Sequence, residues 1–302
     1  MVSLRAIFLK LCAVTLFLVM ASLIKAASES VPAGQSVFFR SFFAFPILIG
    51  WLAMRGQLRT GFQVARPSAH VLRGVIGTGA MAFSFAGLGL LPLPEVTAIR
   101  FAGPLFVVVF AALLLGERVR LFRSTAVLVG FAGVLIVMYP RLSGSAAWAV
   151  DGAALGAIYC LIAAALAALA HVQIRNMTRT EKTSAIVFWF TITSMTLSLA
   201  TIPFGWVVPD GPVAAMLICA GLCGGAGQIL MTTAYSKADV SLLAPFDYAS
   251  IVMAIAVGYF VFSEAPTTNM ILGAMIVTAA WGAIIWRERK LALQSPARQP
   301  DP

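Results

Sequence analysis

Residues 96–118 read VTAIRFAGPLFVVVFAALLLGER, and residues 240–265 read VSLLAPFDYASIVMAIAVGYFVFSEA. Each stretch is apolar for most of its length and closes on a carboxylate, Glu117 in Leu-Gly-Glu and Glu264 in Phe-Ser-Glu. Each also carries a charge inside the apolar run, Arg100 in the first and Asp247 in the second. Setting Glu117 on Glu264 gives an offset of 147, which places Arg100 on Asp247, Ala126 on Gly273 and Gly133 on Ala280. In the preceding stretches an offset of 148 places Gly77 on Gly225 and Gly79 on Gly227. Self-similarity at one spacing divides the chain into two halves.

Working outward, apolar runs of similar length recur at about residues 5–27, 35–54, 70–91, 95–115, 122–140, 152–173, 184–205, 212–235, 240–262 and 269–287. Crossing ~30 Å of hydrocarbon takes about 20 residues of helix, and these runs have that length. A membrane β-barrel would show alternating polarity over ~10 residues, whereas these runs are continuously apolar. The expected fold is therefore an all-α membrane protein of ten transmembrane helices. The first five belong to residues 1–147, the second five to residues 148–290, and residues 291–302 form a polar tail. Five is odd, so the second half must insert upside down. Glu117 agrees, lying among arginines, while Glu264 lies in a segment without basic residues. Inverted repeats are the construction of secondary transporters, with the solute near the midplane between the halves.

Composition excludes the main competitors. The chain is 61% hydrophobic and 11% charged, with a mean hydropathy of +0.96, where a soluble domain carries about 25% charge. The net charge of +10 invites a nucleic-acid reading. Such binders cluster Lys and Arg on a polar domain; here the basic residues punctuate apolar runs, so no nucleic acid is expected. Cys12, Cys160, Cys219 and Cys223 all lie in apolar runs, with no CxxC and only His70 and His171 beside them. Neither a disulfide framework nor a metal site is expected. No P-loop, GxSxG or HExxH pattern occurs, so neither nucleotide hydrolysis nor an enzyme is expected. A membrane-embedded enzyme would need more clustered chemistry than Arg100 and Asp247 provide. A channel or scaffold would have no use for inversion. No cofactor and no obligatory protein partner are implied.

Charge sets the orientation. Seventeen of the 21 basic residues, including Lys10 and Arg73, fall at one side, against Lys25, Arg40 and Arg141 at the other. The positive-inside rule then places both termini in the cytoplasm, and anionic lipid headgroups are the partners of the basic loops. Trp51, Trp148, Trp206 and Trp286 fall near span ends, as interfacial anchors do. Arg5 and Lys10 ahead of an apolar core resemble a signal peptide, but cleavage would destroy the five-plus-five arrangement, and a retained first span is expected.

Family resemblance enters through residues 85–98, FAGLGLLPLPEVTA, with Pro104 and the Leu-Gly-Glu-Arg of 115–118. Phe39-Arg40, residues 244–248 (APFDY) and Phe262-Ser263-Glu264 belong to the same pattern. Together they resemble the EamA-type proteins of the drug/metabolite transporter superfamily, over essentially all ten spans. The resemblance implies an inner-membrane exporter of small metabolites, amino acids first, similar in kind to the broad-specificity exporters of aromatic and neutral amino acids. Nucleotide, sugar and cofactor carriers share the superfamily, so the solute does not follow from the fold.

The residues expected to line a solute path are those whose polarity needs a reason inside hydrocarbon. Arg100 and Asp247 come first, with Phe101 and Tyr248 beside them. Arg100 lies ~8 Å deep from one face and Asp247 ~10 Å deep from the other at 1.5 Å per residue. Their depths thus differ by ~12 Å in a ~30 Å core, which argues for successive action rather than a joint clamp. Gln228, Thr232 and Tyr235 form a stripe on one face of the eighth span. Phe83 and Tyr159 are weaker aromatic candidates. The glycines of the third and eighth spans are expected to permit close helix approach. Lys25, Arg40, His171 and Gln173 lie near span ends, where snorkelling is cheap, and Pro46 and Pro104 are expected to kink their helices.

Overall fold

A computed structural model describes residues 4–58, 60–115, 121–143, 152–177, 180–235, 246 and 249–294. All the regular structure among these residues is helical, with no strand. In order run α1 (Leu4–Ala27), α2 (Ala33–Met54), α3 (Pro67–Leu90), α4 (Leu93–Arg100), α5 (Ala102–Leu115) and α6 (Leu121–Leu142). They are followed by α7 (Ala153–Met177), α8 (Thr183–Leu199), α9 (Gly211–Tyr235), α10 (Ala249–Phe262) and α11 (Thr268–Gln294). Helix is the form available to such runs, because in hydrocarbon each backbone N–H and C=O must be satisfied within its own segment. Proline opens the early helices, Pro32 preceding α2 and Pro67 standing at the first position of α3, where a missing N–H costs nothing. Later starts are capped by side chains: Asp210 Oδ1 accepts from Val213 N at 3.0 Å, and Thr267 Oγ1 from Met270 N at 3.2 Å.

Eight stretches are long and apolar enough to cross a bilayer, with α4 and the first part of α5 counting as one, Leu93–Phe110. The shorter apolar helices are α8 and α10. The seventh run, expected to reach residue 205, stops at Leu199 and passes through a 3₁₀ turn, Ile202–Phe204. Its 17 residues measure about 26 Å, slightly less than the hydrocarbon core. Residues 240–245 of the ninth run lie outside the described residues, and α10 begins at Ala249.

The prolines behave differently. α2 continues through Pro46, whereas the fourth run breaks at Phe101, three residues before Pro104. Pro104 cannot donate to the Arg100 carbonyl and its ring crowds that carbonyl, the known cause of such breaks. Both prolines were expected to kink their helices; Pro104 goes with a full interruption, while Pro46 sits inside a continuous α2.

The end of the bundle that holds the start of α1 is called here the near end, and the other the far end. α1 lies along α9, α3 along α7, and α6 along α11, with α2 packed on both α8 and α9. The α6–α11 crossing brings backbones close together: a Cβ at Gly133 or Gly273 would run into the other residue's carbonyl oxygen. On α9, Gly221 and Gly225 lie against Phe43 and Ala44 of α2. Close packing is thus what these glycines provide, as in membrane helix pairs generally.

Candidate functional site

Four helices converge on Phe190. It lies on α8, and the Arg73 guanidinium from α3 sits 4.2 Å from its ring centroid. The Arg40 guanidinium from α2 lies 5.9 Å from the same centroid. Arg40 is 6% exposed and Arg73 9% exposed, so both charges are removed from water. Neither has a carboxylate partner among the described residues, and Nε of both, with Nη1 of Arg73, is buried without a hydrogen bond. Small residues make the room. A Cβ on Gly77, one turn beyond Arg73, would collide with Arg73 Nη1, and one on Gly224 would come within 3.1 Å of Arg40 Nε. Beside Phe190 is a cavity lined by Arg40 and Leu48 of α2, Thr191 of α8, and Gly225 and Gln228 of α9.

A second group of charges adjoins Arg73. His171 of α7 is within electrostatic reach of Arg73, Lys10 of α1 and Arg100 of α4. His171 and Arg100 are both exposed, although residues 93–99 of α4 are buried. Lys10 is fully buried and its Nζ lies 3.2 Å from Met231 Sδ. Lys10 and Arg100 have further interactions of their own. Within the described interior, the buried cations without a carboxylate are therefore Arg40 of α2 and Arg73 of α3.

The two ends are tied by paired charges. At the far end Lys25 Nζ lies 2.8 Å from Glu264 Oε1 and donates to the Leu91 carbonyl at 2.7 Å. Glu264 Oε2 in turn accepts from Leu93 N at 2.8 Å, so one carboxylate joins the ends of α1 and α10 to the α3–α4 corner. Glu95 and Arg141 form a two-pronged pair, 3.0 Å and 2.8 Å, between α4 and α6. At the near end Glu181 accepts from Ala65 N at 2.9 Å and Arg66 N at 2.7 Å, with His70 Nε2 3.3 Å away. Burial alone would raise the Glu181 carboxyl. The Arg66 amide, His70 and the Ala65 amide outweigh it and hold the group below its ordinary value.

Of the residues expected from sequence, Arg100 and Phe101 meet at the α4–α5 break, with Phe101 9% exposed. Phe83 and Tyr159 are brought together across α3 and α7, ring centroids 5.4 Å apart. Gln228 lines the Phe190 cavity. Thr232 and Tyr235 are on α9 but their side chains lie outside the described residues, as do Asp247 and Tyr248 entirely. The snorkelling expectation is corrected. Arg40 is buried, Lys25 is paired with Glu264, and Gln173 Nε2 donates to the Ala69 carbonyl at 3.2 Å, joining α7 to α3. His171 is exposed, which leaves its expected place at a span end standing. Lys10 and Arg73, assigned by sequence to a cytoplasmic face, are also inside. Removing them and Arg40 from the orientation count leaves fifteen charges against two.

The Arg40–Arg73–Phe190 group is the part that sequence reasoning missed. The only signal was an arginine six or seven residues inside each of two apolar helices, deep enough for its side chain to turn inward; nothing marked Phe190.

The EamA-like transporter family model matches residues 4–139 and again residues 154–286. This chain belongs to that family. Among EamA relatives, the pseudopaline exporter CntI of Pseudomonas aeruginosa is 32% identical over 271 residues, covering 87% of this chain and 90% of its own. The S-adenosylmethionine uptake transporter of Rickettsia felis is 27% identical over 256 residues, 85% of this chain and 84% of its own. A riboflavin transporter of Rhizobium johnstonii is 28% identical over 253 residues, 82% and 80% respectively. A solved crystal structure superposes with a TM-score of 0.68 at 22% identity, covering 95% of this chain and 97% of the other, which extends the likeness in fold to nearly the whole EamA chain.

Proposed function

We propose that this chain is an alternating-access carrier that moves small polar metabolites across the cytoplasmic membrane, built from two five-helix halves of opposite orientation. The observation that carries the reading is the double family match over a bundle whose interior holds charge. The halves are residues 1–147 and 148–290, with 291–302 as a tail. Inversion is supported by chain direction and packing. α1 runs from the near end to the far end, and α7, which opens the second half, runs back. Exchanging the halves turns the α1–α9 pair into the α7–α3 pair, and both are extensive contacts. In this reading α8 and α10 complete the ten spans.

The far end is the external face, with both termini cytoplasmic, on the fifteen-to-two charge split. The Lys25–Glu264 network then closes the outer gate, and its release lets the interior face outward. Export of amino acids is the first substrate reading. The exporter relative, at 32% identity, shares more with this chain than the uptake relative at 27%. A second reading, a cofactor or other metabolite class, is supported by the S-adenosylmethionine and riboflavin relatives. The test is counterflow by the purified chain in liposomes against a panel of amino acids, nucleosides and flavins. Saturable counterflow of any of them supports a carrier, and an amino acid among them supports the first reading. Flux without counterflow or saturation would indicate a channel instead.

A further inference from the structure

We propose that Arg40 and Arg73, together over Phe190, form a binding site for a small organic oxyanion, a carboxylate or phosphate group borne by the transported solute. The inference deepens the carrier reading by naming a substrate class. Its physical basis is an unmet demand. A guanidinium inside a membrane bundle is unfavourable unless paired, and here two of them share one aromatic ring. The ring's negative face attracts each cation but accepts no conventional hydrogen bond from the N–H groups. Three of their buried nitrogens therefore remain without acceptors. The two positive charges also repel each other across the shared ring. An entering anion would reverse every one of these penalties at once.

Geometry points to an oxyanion rather than a spherical ion. Guanidinium forks match the two oxygens of a carboxylate, or the edge of a phosphate, with parallel hydrogen bonds. Gly77 and Gly224 leave the guanidiniums the space that a methyl group would take. The adjoining cavity, which Arg40 lines, has Leu48, Thr191 and Gln228 in its wall, and at about 10 Å³ it holds roughly one water, so the body of a solute is seated there only when the helices move apart. If the pair served structure alone, the expected partner would be a carboxylate such as those that meet Lys25 and Arg141. None is present among the described residues.

The experiment uses the full-length chain in detergent or nanodiscs and follows thermal unfolding at constant ionic strength. The probes are succinate, its diamide succinamide, glycerol 3-phosphate and potassium chloride. Succinate or glycerol 3-phosphate should raise Tm by several degrees, as a ligand specific for the folded state does, with succinamide and chloride inert. Which of the two acts identifies the oxyanion as carboxylate or phosphate. Arg40→Met and Arg73→Met should each weaken that response by more than 10-fold while leaving the ligand-free Tm unchanged or higher, because an unpaired buried charge has been removed. Should a methionine variant not fold, Arg40→Lys and Arg73→Lys, which keep the charge but lose the fork, should fold and show a weakened response. The proposal is overturned if neither anion outperforms chloride or succinamide, or if the variants keep the full response. Anion stabilisation without counterflow of any solute would sink the carrier reading and leave this site. Counterflow of neutral or cationic solutes, equal in wild type and both methionine variants, would sink this site and leave the carrier.

Discussion

Lys25 and Arg73 are both cations on helices that face the bundle interior, yet their surroundings are opposite in kind. Lys25 meets a carboxylate at 2.8 Å and a carbonyl at 2.7 Å. Arg73 meets an aromatic ring at 4.2 Å and no counter-charge among the described residues. The far end thus uses charge as a fastener, satisfied within the protein, whereas the centre holds charge in reserve. Removing a fastener should cost stability. Removing a reserved charge should cost binding and leave stability intact or improved, a division often found where function is stored as local strain.

The sharpest way to break this comparison is Glu264→Ala, which leaves Lys25 partly buried with carbonyls alone and Leu93 N without its acceptor. A loss of about 3 kcal/mol is expected, at the lower end for a broken buried pair because both side chains retain some exposure. Thermal or denaturant unfolding in detergent measures it. The double variant with Lys25→Met should recover part of the loss. Stability unchanged by Glu264→Ala would erase the distinction between the two regions.

Glu95→Gln tests the second fastener with a smaller effect. Arg141 is 31% exposed in this pair, so water can take up part of its charge. About 1–2 kcal/mol is expected, near the range for hydrogen bonds to charged groups. A loss greater than that for Glu264→Ala would show that Glu95, at 4% exposure, governs the cost instead.

At the near end the readout is pH. The Glu181 carboxyl is held below its ordinary value of 4.5. A depressed folded pKa supplies stability that is present above the unfolded value and is lost as pH falls through the folded one. The Ala65 and Arg66 amides should therefore keep their hydrogen-exchange protection factors down to about pH 4.5 and lose them below it. Glu181→Gln should flatten the profile. Protection that declines near neutral pH in the wild type would contradict the assignment.

The smallest effect is expected at the surface. Arg55 lies 4.6 Å from the Trp51 ring and is exposed. Arg55→Ala should change stability by roughly 0.5–1 kcal/mol, the worth of an exposed cation–π contact, and leave any liposome flux unaltered. A variant that abolished flux would place part of the solute path outside the bundle interior.

Much of the architecture was legible without coordinates, because a bilayer admits so few solutions. A run such as 70–91 could only be a helix, and α3 spans Pro67–Leu90. A disturbance at Pro104 was legible from proline's action on its own turn, but the same signal at Pro46 sits in a continuous α2, so how far each helix yields was not. Gln228, which lines the Phe190 cavity, sits where polarity in hydrocarbon demands a partner or water, whereas Arg100 is exposed. Arg40 and Arg73 were misread because depth along a helix says nothing about which neighbour a long side chain meets. Six or seven residues from a helix end, the side chain can reach either water or the centre. The Phe190 ring and the space left by Gly77 and Gly224 are what turn it inward.

Composition, period and repetition by themselves determined that the chain is helical and membrane-spanning, and pointed to two similar halves. Those properties follow from one-dimensional rules, the apolar length needed to cross hydrocarbon and the backbone's need to satisfy itself. Tertiary structure alone decided which charges are paired. Glu264 lies 239 positions from Lys25, and Arg73 reaches a ring 117 positions away, in contacts that no local pattern encodes. Pairing depends on where helix faces meet, and in this bundle that meeting leaves Lys25 neutralised and the two arginines over Phe190 waiting for an anion.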